Sequence, residues 1–366
     1  MLHCSKDPSM NPFLRKILAA SRLTRSGKLA DATAAIQRAL ADTVQAGAHP
    51  PAVSRGADDA IVEAVVVDPA PSAAPEAGRS RFLASSFTGA AGTRAFKLFV
   101  PGGHAGEPLP LVVMLHGCTQ NPDDFAAGTR MNALAEELGF LVLYPAQAPR
   151  SNAQKCWNWF SPRDQRRGSG EPALLAGMTR HVVQTENVDP DRIYVAGLSA
   201  GGAMAAILAR EYPDLFAAAG VHSGIAPGAA HDVASAFAVM KSGPGAAPAS
   251  AAAPSAPVIV FHGGADTTVA PANGSAVVDA ALAGAGAATL ASSEARVFGG
   301  GRPAQRTVWQ RADDADAPSI AEHWLVPGAP HAWSGGAAGG SYTDPAGPDA
   351  SREMLRFFRE HPRRRG

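Results

Sequence analysis

The sequence predicts an α/β fold, in which helices cover both faces of a mostly parallel sheet. Short apolar runs in the chain are continuous rather than alternating, which is typical of strands buried on both faces. Segments with helical periodicity alternate with these runs from about residue 81 onward. The chain has 366 residues, of which 46% are hydrophobic, so it can fill a substantial core. These observations exclude disorder of the whole chain.

The predicted strands and helices follow one another in the order that a parallel sheet with crossover helices requires. The strands are predicted at residues 96–100, 111–115, 140–144, 193–196, 217–222, 258–262 and 323–326. The helices are predicted at residues 131–138, 172–185, 201–211, 276–283 and 351–358. A stretch rich in proline, alanine and glycine at residues 242–257 interrupts this alternation, and we predict a long flexible loop there.

Two further segments precede the α/β domain, which we place at residues 81–366. Within residues 1–46, apolar side chains recur at helical spacing after a break at Ser26 and Gly27, so we predict a short helical hairpin at 11–46. Residues 47–80 are rich in proline and alanine, which predicts an extended linker.

Charge, hydropathy and cysteine content exclude several classes of protein. The chain has 32 basic and 32 acidic residues, so it lacks the positive excess of a nucleic-acid-binding protein. No apolar run approaches the roughly 18 residues that span a bilayer, so we expect no integral membrane association. Three cysteines are too few for a disulfide scaffold and lack the spacing of a zinc site. The cysteines therefore predict no zinc site, and the serine chemistry predicted below needs neither a metal nor a cofactor.

The motif Gly-x-Ser-x-Gly at residues 197–201 predicts a catalytic nucleophile. It lies directly after a predicted strand and before a predicted helix, where a tight turn presents the Ser199 hydroxyl at the end of the sheet. The alternative is that the glycines only permit a tight start of the helix.

A serine hydroxyl becomes nucleophilic when a histidine, itself oriented by a carboxylate, accepts its proton. Asp266 follows the strand predicted at 258–262, and His331 lies in a loop after the strand at 323–326. Both strand ends lie at the same edge of a parallel sheet, so we predict Asp266 as the acid and His331 as the base. The alternatives are a turn-capping role for Asp266 and a loop histidine bound to backbone. Four other histidines, in or next to strands, are predicted in the core: His116, His222, His262 and His323.

A serine nucleophile that attacks an acyl carbon also needs two N–H groups to stabilise the oxyanion of the tetrahedral intermediate. One donor is predicted at Ala200, because it follows the nucleophile. The other is predicted at the amide of Cys118, in the turn after the strand at 111–115. The alternative is that His116 and Gly117 only form a sharp exit from this strand.

Five separated motifs resemble the polyhydroxybutyrate depolymerase family of esterases, in order, over roughly residues 80–359. They are residues 115–121 (LHGCTQN), 144–145 (YP), 156–160 (CWNWF), 188–204 (VDPDRIYVAGLSAGGAM) and 330–333 (PHAW). The resemblance implies an α/β-hydrolase fold and serine hydrolysis of short-chain hydroxyalkanoate polyesters, oligomers or related esters, without a cofactor. It implies Ser199, Asp266 and His331 as the triad and the amides of Cys118 and Ala200 as oxyanion donors.

The resemblance also bears on location and on rival functions. Secreted members of the family imply an extracellular protein, whereas residues 13–20 are interrupted by Arg15 and Lys16 and form no ordinary signal peptide, so a cytoplasmic location stays open. A feruloyl or acetyl-xylan type esterase on the same fold is the enzymatic alternative. A non-catalytic protein that binds polymer granules, with the helical hairpin as an adaptor, is the alternative from another class.

Two expectations concern the loops beside the predicted site. Trp157, Trp159 and Trp333 lie next to catalytic loops, so we predict that they form an apolar substrate subsite, with a core role as the alternative. We also hypothesise that Cys118 and Cys156 form a disulfide that joins the oxyanion loop to the tryptophan loop.

Overall fold

A computed structural model of the protein describes residues 78–103, 106–245, 255–284, 289–299, 301–314 and 317–363. The predicted helical hairpin at 11–46 and nearly all of the linker at 47–80 lie outside these residues, as do residues 246–254 of the predicted loop at 242–257. The boundaries of the N-terminal segments therefore stay predictions.

A ten-stranded mixed sheet forms the centre of the described domain. Its strands are β1 (Arg81–Gly89), β2 (Gly92–Val100), β3 (Leu109–Leu115), β4 (Leu141–Pro145), β5 (Val188–Leu198), β6 (Ala218–His222), β7 (Val258–Gly263), β8 (Leu290–Gly299), β9 (Arg302–Arg311) and β10 (Ala321–Val326). They lie in the order β1-β2-β4-β3-β5-β6-β7-β10-β9-β8. The strands from β4 to β10 in this order pair in parallel, while β1, β2, β8 and β9 are antiparallel to their neighbours.

Helices cover both faces of the sheet, as predicted. They are α1 (Pro122–Thr129), α2 (Met131–Leu138), α3 (Gly170–Thr185), α4 (Ala200–Glu211), α5 (Val233–Ser242), α6 (Ala272–Gly284) and α7 (Ala350–Glu360). A two-stranded sheet of β11 (Trp333–Ser334) and β12 (Thr343–Asp344) follows β10 along the chain. Two apolar clusters result, one that includes residues of α3 to α6 and one that includes residues of α1, α2 and α7.

The apolar strands alternate between these two clusters. In β3, Val113 belongs to one cluster and Met114 to the other, and both side chains are fully buried. Each such side chain contributes about 1.5–3 kcal/mol when it leaves water. Because both faces are covered, the strand reads as an unbroken apolar run, which is why the sequence revealed it.

The elements that sequence patterns did not predict lie mostly outside this parallel centre. The strands β1, β8 and β9 form the antiparallel edges, and every β8 side chain that the structure describes is exposed or half-buried. A strand with so little buried surface carries no apolar signal in its sequence.

Among the residues that the structure describes, no helix combines the length and the hydropathy that crossing a bilayer requires.

Candidate active site

Ser199 lies on a strained turn between β5 and α4. Its backbone has φ 57° and ψ −119°, a conformation that residues other than glycine rarely adopt. The flanking glycines are required, because a Cβ atom on Gly197 would overlap the Gly201 carbonyl and one on Gly201 would overlap the Leu115 carbonyl. The partly exposed Ser199 therefore lies at the carboxyl edge of the parallel strands.

Asp266 lies in the turn after β7, and its carboxylate is held on both oxygens. Oδ1 accepts hydrogen bonds from the amides of Thr268 (2.9 Å) and Val269 (2.8 Å), and Oδ2 accepts one from Nδ1 of His331 (2.6 Å). Burial by itself raises the pKa of Asp266, but the hydrogen bonds outweigh it and the pKa lies below its ordinary value. Asp266 is therefore ionised at neutral pH.

His331 lies in the loop after β10, where its side chain is 11% exposed. Because its Nδ1 faces an ionised carboxylate at 2.6 Å, Nδ1 carries the proton of the neutral ring. This tautomer leaves Nε2 with a free lone pair, which is what a general base requires. The structure thus brings the predicted acid and base into direct contact.

His222, at the end of β6, joins the turn of Ser199 to the loop of His331. Its carbonyl oxygen accepts a hydrogen bond from the Ser199 amide (2.9 Å), and its Nε2 accepts one from the Ser334 amide (2.9 Å). Burial, reinforced by nearby histidines, lowers the pKa of His222 to about 3, so the ring is neutral and can accept. One buried residue therefore holds two parts of the candidate site together.

The loop after β3 brings Cys118 beside the nucleophile. A Cβ atom on Gly117, the preceding residue, would lie 3.6 Å from Cβ of Ser199. Ala200 is the first residue of α4, so its amide belongs to the N-terminal turn of that helix. Gly117 and Ala200 thus lie next to Ser199, and the role of the Cys118 and Ala200 amides in stabilising an oxyanion stays a prediction.

Cys118 and Cys156 form a disulfide, which confirms that hypothesis. Two hydrogen bonds reinforce the link: the Thr119 amide donates to the Gln154 carbonyl (2.7 Å), and Nε1 of Trp157 donates to the His116 carbonyl (3.0 Å). The segment around Cys156 is therefore attached to the oxyanion loop at three points.

The three tryptophans beside the site are buried. Trp157 and Trp333 have 0% and 1% of their surface exposed, and Trp159 has 6%. Nε1 of Trp333 donates a hydrogen bond to Oγ of Ser351 (3.0 Å), and Nε1 of Trp157 donates one to the carbonyl of His116. Their contact with substrate stays a prediction, while in this structure they pack and anchor the loops of the site.

Tyr342 is a residue of the site that sequence reasoning missed. Its side chain is 46% exposed, and its hydroxyl lies 3.2 Å from Oγ1 of Thr119, the neighbour of Cys118. Its carbonyl accepts a hydrogen bond from the Trp333 amide (2.7 Å), at φ 52°. Because 223 residues separate Tyr342 from Thr119, no local pattern indicates this contact.

A second link ties the same two loops together below Tyr342. The Gln120 side chain accepts a hydrogen bond from the Gly117 amide (2.9 Å) and donates to Asp124 (2.8 Å), which in turn binds the Ser341 hydroxyl (2.6 Å). Burial raises the pKa of Asp124, but these hydrogen bonds outweigh burial and lower it.

Across the described ranges, no group of three or more His, Cys, Asp or Glu side chains is arranged to hold a metal ion.

Comparisons with known proteins identify the family of the chain. A family model described as esterase PHB depolymerase matches residues 94–302, more than half of the chain. Poly(3-hydroxyalkanoate) depolymerase C of Paucimonas lemoignei is 38% identical over 191 residues, which cover 49% of this chain and 46% of that protein. Feruloyl esterase B of Neurospora crassa is 34% identical over 129 residues, 35% of this chain and 43% of that protein. The chain spans less than half the length of these curated relatives.

A solved structure shows the fold. The acetyl xylan esterase from Aspergillus awamori superposes with a TM-score of 0.59 at 20% sequence identity, covering 77% of this chain and all of that one. With the strand order described above, this likeness confirms the predicted α/β-hydrolase fold.

Proposed function

Since the chain belongs to the esterase PHB depolymerase family, we propose that it is a serine hydrolase of carboxylic esters. The observation that most supports this proposal is the hydrogen bond of 2.6 Å between Asp266 and His331, at the edge where the strained turn holds Ser199. A histidine oriented by a carboxylate and a serine on such a turn are the groups that activate a hydroxyl for attack on an acyl carbon.

Acylation begins when Nε2 of His331 accepts the proton of the Ser199 hydroxyl. The Oγ electron pair forms a bond to the ester carbonyl carbon, and the carbonyl π electrons move onto its oxygen. Asp266, already ionised and buried, stabilises the imidazolium that forms. The amides of Cys118 and Ala200 donate hydrogen bonds to the new oxyanion.

The tetrahedral intermediate then collapses and expels the alcohol. The carbonyl re-forms, the bond from carbon to the alkoxy oxygen breaks, and His331 gives its proton to the leaving alcohol. In the second half of the reaction, water deprotonated by His331 attacks the acyl carbon, the bond from that carbon to Oγ breaks, and His331 returns the proton to Ser199 as the acid leaves. His331 is thus base and acid in turn, while Asp266 keeps its charge throughout.

Short-chain hydroxyalkanoate polyesters or their oligomers are the proposed substrates. The family, and the 38% identity to the depolymerase of P. lemoignei, support this choice. The equal numbers of acidic and basic residues are compatible with an uncharged substrate, which needs no electrostatic steering. The disulfide is typical of oxidising compartments and therefore favours the extracellular location over the cytoplasmic one.

A feruloyl or acetyl-xylan type esterase is the second candidate, and the 34% identity to the feruloyl esterase of N. crassa favours it. The two candidates share the same triad chemistry and differ only in the groups on either side of the ester. The enzyme incubated with hydroxybutyrate polymer, hydroxybutyrate oligomers, methyl ferulate and acetylated xylan distinguishes them by the acid released. Release of hydroxybutyrate supports the first candidate, and release of ferulate or acetate alone supports the second.

Hydrolysis of p-nitrophenyl butyrate tests the serine mechanism itself. We expect Ser199→Ala to reduce kcat by about 10⁵-fold or more, because removal of a triad nucleophile costs on the order of 10⁶. Ser293→Ala, which changes an exposed serine on β8, is the matched control and should keep full activity. Equal turnover by wild type and Ser199→Ala would rule out the mechanism. Polymer binding without hydrolysis by either protein would favour the non-catalytic granule-binding alternative.

A further inference from the structure

Glu171 is a buried carboxylate that the proposed mechanism does not use. It lies in the first turn of α3, and its side chain is only 6% exposed. Its charged neighbour Arg94, with Nη2 at 3.6 Å, is equally buried, with 5% of its side chain exposed. Carboxylates are rarely buried without a compensating network, because removal of the charge from water costs several kcal/mol. The partners of Glu171 therefore indicate what the carboxylate holds in place.

Both oxygens of Glu171 bind the segments beside the oxyanion loop. Oε2 accepts a hydrogen bond from the Asn158 amide (2.7 Å), and Oε1 accepts one from Nδ2 of Asn158 (3.0 Å). Oε1 also accepts a short hydrogen bond from Nε2 of Gln147. Burial raises the pKa of Glu171 above its ordinary value, and these donors, which favour the ionised form, oppose that effect only in part.

Gln147 carries the connection from Glu171 to His116. Its side-chain Nε2, besides binding Glu171, donates to the carbonyl of Cys156 (2.8 Å), the disulfide partner of Cys118. Its backbone amide donates to Nε2 of His116 (3.1 Å). The glutamine is thus fixed at its side chain, and its backbone meets the histidine that begins the oxyanion loop.

The hydrogen bond from Gln147 determines the tautomer of His116. Because Nε2 accepts, the proton of the neutral ring lies on Nδ1, which donates to the Gly117 carbonyl (2.7 Å). Burial lowers the pKa of His116 to about 4, so the ring is neutral at neutral pH. The buried His116 ring therefore donates a hydrogen bond to the Gly117 carbonyl from a fixed direction.

The Gly117 carbonyl and the Cys118 amide belong to one peptide group. A trans peptide is planar, and its C=O and N–H point in opposite directions, so a hold on the carbonyl also aims the N–H. The Gly117 amide is held separately, by Oε1 of Gln120 at 2.9 Å. Three linked contacts thus run from Glu171 through Gln147 and His116 to the amide of Cys118.

We propose that Glu171 is a positioning residue that aims the Cys118 amide at the oxyanion, through Gln147 and His116. This inference rests on the proposed ester hydrolysis, in which that amide is an oxyanion donor. An oxyanion donor acts on the tetrahedral state more than on the bound ester, so its misalignment lowers kcat and leaves KM nearly unchanged.

Glu171→Gln tests the relay, with Glu322→Gln as the matched control. Glu322 is also a buried carboxylate, 1% exposed, with Arg306 and Arg356 each at 2.7 Å, but it lies on β10 outside the relay. For Glu171→Gln we expect kcat for p-nitrophenyl butyrate to fall roughly 10- to 100-fold, less than the loss of a whole oxyanion donor. KM should stay within about twofold. Glu322→Gln should lower Tm and keep kcat.

Inhibition by a trifluoromethyl ketone separates positioning from general loss of stability. Its adduct with serine carries an oxyanion, so Ki in Glu171→Gln should rise by the same factor by which kcat/KM falls. A decrease in Tm with unchanged kcat and Ki would overturn the proposal, because Glu171 would then only stabilise the fold.

Two variants of His116 test the last contact of the relay even if Glu171→Gln fails to fold. The Nδ2 atom of asparagine occupies nearly the position of histidine Nδ1, so His116→Asn keeps a donor for the Gly117 carbonyl, whereas His116→Leu removes it. We expect His116→Asn to retain at least about tenfold more kcat than His116→Leu. Equal kcat in the two variants overturns the relay. If wild type hydrolyses no ester at all, the proposed function fails. If Ser199→Ala is inactive while Glu171→Gln and both His116 variants keep the kcat of wild type, only the relay fails.

Discussion

The two sides of the candidate site are held in different ways. On the acid–base side, Asp266 and His331 touch directly, and each follows the end of a parallel strand. On the oxyanion side, the predicted donor is the backbone amide of Cys118, and a disulfide, a buried histidine and a buried carboxylate surround it. Side chains at the ends of parallel strands therefore reach each other directly, whereas a backbone donor has to be aimed by the groups around its peptide.

The largest effect is expected from breaking the acid–base side. Asp266→Asn removes the charge that stabilises the imidazolium and leaves an amide that favours the wrong tautomer of His331, so kcat should fall roughly 10³- to 10⁴-fold. Steady-state hydrolysis of p-nitrophenyl butyrate measures it. Asp123→Asn, at an exposed carboxylate that pairs with Lys97, is the control and should keep kcat. A decrease of less than tenfold for Asp266→Asn would contradict the assigned acid.

Removing the disulfide tests the oxyanion side. The double variant Cys118→Ser/Cys156→Ser opens a loop with a sequence separation of 38, so the free energy of unfolding should fall by about 4 kcal/mol. Urea denaturation measures this change, and kcat should fall as well because the oxyanion loop loses a tether. Dithiothreitol should reproduce both effects in wild type and have no effect on the double variant. If the reductant weakens the two proteins equally, the disulfide is not the cause.

A pH dependence should be shared by the two sides, because each contains a buried neutral histidine. Burial lowers the pKa of His116 to about 4 and that of His222 to about 3, from 6.5. Between these values and 6.5 the unfolded chain binds protons that the folded chain does not, so stability falls as the pH falls through this window. We expect each histidine to cost about 2 kcal/mol of unfolding free energy between pH 7 and pH 5.

Urea titrations at pH 7 and pH 5 measure this dependence. His222→Gln removes one contributor, so its loss of stability between the two pH values should be smaller than that of wild type by about 2 kcal/mol. Asp266, with its lowered pKa, acts in the same direction but only below about pH 4, outside this window. Identical pH dependence in wild type and variant would contradict a neutral buried His222.

The smallest effect is expected at Tyr342, which lies where the two sides meet. Tyr342→Phe keeps the ring and loses only the hydroxyl beside Thr119. We expect kcat/KM to fall about two- to tenfold, which corresponds to the free energy of one neutral hydrogen bond. Tyr342→Ala also removes the exposed ring and should alter the preference among acetate, butyrate and hexanoate esters. The series of p-nitrophenyl esters measures both. An unchanged order of preference in Tyr342→Ala would show that the ring does not contact the acyl chain.

Sequence patterns predicted the acid–base side better than the oxyanion side for a physical reason. Ser199, Asp266 and His331 each follow an apolar strand, and the shared direction of parallel strands brings such positions to one edge. The strands that bring these residues together are local elements, and hydrophobic periodicity reveals them. The parallel centre of the fold was predictable in the same way, from runs such as β3.

The supports of the oxyanion loop carry no comparable signal. Gln147 lies 31 residues from His116 and 24 from Glu171, so their contacts depend on how α3 packs against the sheet. A buried glutamate in the first turn of a helix reads in sequence as an ordinary surface acid. The antiparallel β8 and β9 escaped prediction because the described side chains of β8 are mostly exposed and those of β9 mostly half-buried, and the pairing of β9 with β10 brings both strands into the sheet.

The double hold of His222 has a consequence for amide hydrogen exchange. The amides of Ser199 and Ser334, 135 positions apart by number, both donate to this one residue. If the whole residue moves away, both amides lose their acceptors in the same event and become open to deuterium together, whereas rotation of the ring alone frees only the Ser334 amide. Correlated exchange at the two amides therefore reports an opening of the backbone at the end of β6, which motion of the ring alone does not cause.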